Sequence, residues 1–190
     1  MTPNSNTGIG TFKISKSCDL IGNCNSLLFG DDAVNNNNLS GKNYAFYRLF
    51  YNCATIKNVS SNFLPATTLE SDCYYNMFQN CTSLTTAPEL PATTLASFCY
   101  NGMFNGCTSL TTAPELPATT LVQRCYNRMF INCKNLNYIK AMFTATPSNY
   151  YTANWVSGVA SSGTFVKNKN ATWNVTGKHG IPEGWTVQTA

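Results

Sequence analysis

CYYNMFQNCTSLTTAPELPATTLASF (residues 73–98) runs directly into CYNGMFNGCTSLTTAPELPATTLVQR (residues 99–124), and 19 of the 26 aligned positions are identical. A third copy opens at Cys125 with CYNRMFINCKNLNYI and diverges after Cys133. Upstream, YRLFYNCATIKNVSSNFLPATTL (residues 47–69) is a decayed copy in which Cys53 stands for Cys81 and two residues are inserted before Leu64. IGNCNSL (residues 21–27) reads as the tail of a still earlier unit. A fixed period of this length marks a stacked-repeat architecture, in which one unit cannot bury its apolar face without a neighbour.

Within a unit, Leu95, Cys99, Met103 and Cys107 recur every four residues, with Phe98 and Phe104 beside them, which predicts a short helix or 3₁₀ segment. Gly102 and Gly106 weaken it. Residues 110–116, LTTAPEL, predict a short strand that places Leu110, Ala113 and Leu116 inward and ends at Pro117. Pro114 has no N–H to donate, so the ladder is expected to be irregular there. The fold class read from this pattern is α/β: a leucine-rich-repeat-like solenoid of about four 26-residue coils, with a parallel sheet on one face and short helices on the other. Equivalent residues then form ladders: Cys81, Cys107 and Cys133; Phe78, Phe104 and Phe130; Leu84, Leu110 and Leu136.

Residues 1–43 are read as an N-terminal cap, residues 44–143 as the array, and residues 144–190 as a C-terminal cap that extends the sheet. Further strands are expected at residues 10–15, 137–143, 163–168 and 185–188, and a helix at 148–159 presenting Tyr151, Trp155 and Val159. Trp155, Trp173 and Trp185 are read as capping residues rather than as an open aromatic platform for sugars.

The 190 residues are 43% hydrophobic, 13% aromatic and 11% charged. Such a chain can bury a real core and is too aromatic for a disordered one. No run approaches the roughly 20 apolar residues of a spanning helix, and residues 1–10 carry no secretory-signal pattern. The net charge of +4 arises from scattered basic residues, which argues against nucleic acid. One histidine, His179, and eight acidic residues leave little acid-base machinery. The cysteines recur at intervals of eight and 26 rather than as C-x-x-C, so neither a metal site nor another cofactor is expected. Disulfides between laddered cysteines fit the expected spacing; their apolar setting favours packing thiols.

Glu89 and Glu115 are repeat-equivalent and are expected to project outward from adjacent strands beside Thr86 and Thr112, and these four residues form the candidate ligand surface. Two carboxylates ~5 Å apart repel by only about 0.8 kcal/mol in water, so they tolerate stacking and would both gain from a cation. The adjacent pair Thr85 and Thr86 is expected to point to opposite sides, which argues against a flat threonine array.

The unit C-x-x-x-M-F-x-x-C-T-S-L-T-x-A-P-x-L-P resembles the A-F-x-x-C-x-x-L-x-x-I-x-I-P pattern of the BspA-like leucine-rich repeats of surface proteins from gut Bacteroides and related bacteria. The likeness covers residues 44–143, and residues 154–187, with NWVSGVASSGTFVKN and GIPEGWTV, are similar to the region that often follows such repeats. The period of 26 and the Ala-Pro pairs at 87–88 and 113–114 depart from the family pattern. The resemblance implies a cell-surface or secreted, non-enzymatic binding or adhesion module that contacts a host extracellular protein or glycan; the oligomeric state is left open, with a monomer favoured. A spacer or display domain with no ligand of its own is the alternative.

Overall fold

The repeated sequence is laid down in rows: in the computed structural model, which describes residues 11–190, each unit lies beside the next and equivalent side chains stack. Phe12, Phe50, Phe78, Phe104 and Phe130 form one column with ring centroids 5.5–5.9 Å apart. A second column, Phe46, Tyr74, Tyr100 and Tyr126, is spaced 5.6–6.0 Å. These offset stacks lie within the preferred range for aromatic pairs. Leu84, Leu110 and Leu136 are buried alongside, as are Met77, Met103 and Met129. Each fully buried side chain of this kind contributes about 2 kcal/mol.

The architecture is mixed α/β with few, short helices and two small parallel sheets. β1 (Cys18–Leu20) pairs with β2 (Ile56–Val59), and β3 (Tyr138–Ala141), β4 (Thr164–Lys167) and β5 (Thr186–Thr189) form a three-stranded sheet in that order. One helical turn, α1 (Ser26–Phe29), and two 3₁₀ turns, Gly30–Asn35 and Ser61–Phe63, complete the regular structure of the described residues.

The segments expected to be helices in each unit are not helical. Residues 71–80, 97–106 and 123–132 run as consecutive turns. Alternate N–H groups bond inside the ribbon, as from Met77 to the Tyr74 carbonyl. The others cross to the next unit: Tyr74, Asn76, Phe78 and Asn80 donate to the carbonyls of Cys99, Asn101, Met103 and Asn105 at 2.7–3.0 Å. Every fourth residue adopts left-handed backbone, as at Asp72, Asn76 and Asn80 and again at Phe98, Gly102 and Gly106. The physical reason is thickness. An α-helix is about 10 Å across and consumes its own N–H groups, whereas stacked rings no more than 6.0 Å apart leave no room for one helix per unit. The expected helix at 148–159 is replaced by turns for the same reason, and its N–H acceptors are again rowed, with Phe130 donating to Trp155 at 2.8 Å.

The expected strand at 110–116 is reduced to isolated parallel bridges, Thr112 to Tyr138 and Leu116 to Ala141. On the other side, no backbone hydrogen bond joins residues 85–90 to residues 111–116. Pro88 and Pro114 remove donors where these two copies meet, so the sheet is interrupted rather than continuous. Without strand alternation, Thr85 and Thr86 are both exposed, as are Thr111 and Thr112, contrary to the expected opposite facing. Residues 11–15 form no strand, and Gly10 lies outside the described residues; the first strand is β1 instead. Residues 21–27 are not a unit's tail: Cys24 donates its N–H to Phe63, and Leu27 is 56% exposed.

Beyond β3, the sheet continues into β4 and β5 at the strands expected there. Trp155, Trp173 and Trp185 are buried, and their indole N–H groups donate to the carbonyls of Gly180, Phe143 and Ala160 at 2.8–3.3 Å.

Candidate functional site

The interruption between the two closely matching copies opens a groove of about 280 Å³ lined by Glu89, Leu90, Pro91, Glu115 and Pro117. Repeat equivalence puts the two carboxylates on one rim, and the two prolines keep the extended segments from closing over it. Leu90 is buried at its base. Both glutamates are exposed. Glu115 holds Lys140 at 3.0 Å, a partner the repeat alignment hides because the third copy has diverged there. Glu89 has no ion-pair partner among the described residues. The groove thus presents one paired and one free carboxylate over an apolar base, an arrangement suited to a cationic side chain with an apolar stem. Thr86 and Thr112 do not line it; they are exposed bridge residues, facing Asn58 and Tyr138 respectively.

The laddered cysteines have a local role that composition alone does not reveal. The thiols of Cys81, Cys107 and Cys133 donate to the carbonyls of Phe50, Phe78 and Phe104 at 3.0–3.3 Å, one unit back. Cys73, Cys99 and Cys125 form the other buried set. Burial pushes the thiols of Cys73 and Cys133 up to about 12. All nine cysteines are free of disulfides, and eight are buried. A buried, protonated thiol is a poor nucleophile.

A second and larger cleft, about 580 Å³, opens near the C-terminus and includes Ser157, Thr176, Lys178, His179 and Glu183 in its lining. His179 Nδ1 accepts the Asn154 N–H at 3.0 Å, and its carbonyl accepts the Thr152 hydroxyl at 2.7 Å. The ring therefore braces the turn ribbon at Asn154. Sequence reading also missed Lys167, a buried lysine whose Nζ donates to the Trp173 carbonyl and Asn174 Oδ1, both at 2.8 Å. A lysine at the end of a short strand offered no sequence signal of burial.

Among the described residues, no three His, Cys, Asp or Glu side chains gather as a metal-binding set. No helix of the described residues is long and apolar enough to cross a membrane. Comparison with protein-family models, with curated proteins and with solved structures finds no match.

Proposed function

We propose that the chain is a non-enzymatic binding module of a cell-surface or secreted protein, contacting an extracellular protein or glycan. On this reading it is a leucine-rich-repeat-like solenoid of about four coils, with residues 1–43 and 144–190 as its caps. Support for the solenoid comes from the aromatic columns and from the N–H groups that cross between units. The observation that carries the binding function is the groove in which Glu89 and Glu115 share a rim above Leu90. Its chemistry favours a basic group on the ligand.

The test is a binding screen of the full chain against extracellular-matrix proteins, mucins and polysaccharides, run beside the Glu89→Lys, Glu115→Lys double variant. Binding that the double variant loses, with an unchanged thermal melt, is the expected result. Binding that survives would move the site off the groove. Silence across the whole screen would favour the spacer reading.

A further inference from the structure

The turn-ribbon face carries a second arrangement, independent of the glutamate groove. All three arginines of the chain, Arg48, Arg124 and Arg128, lie on this ribbon, each in left-handed backbone. None of them is ion-paired among the described residues. The rows place them in register. Arg48, Asn76, Gly102 and Arg128 occupy one row, linked by N–H bonds from Arg48 to Tyr75, Asn76 to Asn101 and Gly102 to Asn127. Beside it runs the row Tyr47, Tyr75, Asn101 and Asn127.

Tyr47 and Tyr75 are stacked at 5.0 Å, and there the aromatic column stops, because the next two positions are asparagines. Among the described residues, no other ring and no cationic group is stacked on Tyr75. Arg48 packs on Tyr51 at 4.0 Å, and its Nε is buried without a partner. Asn127 is nine-tenths buried, and its Oδ1 also lacks a partner. Burial and the Tyr47 and Asp72 neighbours push the Tyr75 phenol up, while Arg128 and Arg48 pull it the other way, so two guanidinium groups and one carboxylate bear on this spot.

We propose that this face binds an acidic saccharide, with a pyranose ring laid on Tyr75 and its carboxylates held by Arg128 and Arg48. A guanidinium fork matches a carboxylate bidentately. The electron-rich face of a tyrosine ring attracts the C–H groups of a sugar. A pyranose offers a C–H face to stack on Tyr75, which an acidic side chain of a peptide does not.

The test is calorimetric titration of the full chain at low salt with oligogalacturonate and with hyaluronan oligosaccharides, using neutral dextran oligomers and oligoglutamate as comparators. The expected result is saturable binding to at least one acidic saccharide, little to dextran or oligoglutamate, and weakening as salt is raised. Tyr75→Ala should weaken binding roughly fivefold or more, Tyr75→Phe should leave it intact, and Arg128→Ala, at an exposed position, should weaken it roughly tenfold. Failure to bind both acidic saccharides would overturn the proposal. So would equal binding of oligoglutamate, which would mark a site for acidic peptides, or binding indifferent to Tyr75→Ala and Arg128→Ala. The Glu89→Lys, Glu115→Lys variant should bind these saccharides as the parent does, which keeps this result separate from that of the groove.

Discussion

Each thiol in the Cys81, Cys107 and Cys133 column donates to the carbonyl of a phenylalanine one unit back, a contact available only to the protonated form. Burial acts in the same direction, lifting Cys125 to about 11 and Cys73 and Cys133 to about 12 from an ordinary value of 9.0. The unfolded chain therefore releases these protons first as pH rises. Stability should be fully present below about pH 9 and decline as pH climbs from 9 toward 12. Denaturant midpoints measured from pH 7 to 11 check this, and a flat profile would refute it. An aromatic disulfide reagent at pH 8 should find at most Cys18 fast in the native chain and all nine thiols in denaturant. The apolar, periodic setting of these cysteines made their burial legible. Their hydrogen-bond acceptors were not, because the carbonyls belong to a neighbouring unit.

The turn ribbon is the element that periodicity misnamed. A left-handed residue every four positions makes inward side chains recur every four, close enough to the 3.6 of a helix to read as one. Gly102 separates the two structures cleanly. In a helix, Gly102→Ala would stabilise by about 1 kcal/mol. In the ribbon, Gly102 has φ +62°, and an added Cβ would collide with the Asn76 side chain. Gly102→Ala should therefore destabilise by about 1–2 kcal/mol, part from backbone strain and part from displacing Asn76. Chemical denaturation reads the sign directly. The tolerance for Asn at neighbouring left-handed positions, Asn76, Asn80 and Asn132, has the same origin, since a short polar side chain accepts this backbone more readily than most.

At the scale of the whole molecule, the proposed solenoid would make stability a matter of nearest neighbours. On the proposed solenoid, deleting residues 99–124 joins Phe98 to Cys125, the residue type it already precedes. The deletion should then leave a folded chain with its aromatic columns one ring shorter. A cooperative melt at reduced temperature, with near-ultraviolet circular dichroism retained, is the expected outcome. Loss of cooperative unfolding would count against independent stacking of units. The glutamate groove would vanish with the deletion, because it exists only where two Ala-Pro copies abut.

The repeat, its period and the core columns of Phe, Leu and Cys were all legible in the chain, because each follows from side-chain character recurring at a fixed interval, and the burial of the tryptophans was legible from their bulk and apolar character. The second aromatic column, Tyr74, Tyr100 and Tyr126, was equally periodic, but a tyrosine gives no sign in sequence of whether its ring will be buried. Tertiary structure alone decided how thin each unit must be and hence that turns replace helices. It likewise decided that the sheet breaks between Pro88 and Pro114, that Lys140 meets Glu115, and that arginines far apart in the chain share one row. These outcomes depend on which groups neighbouring units bring within bonding distance, and a period states only that they are neighbours.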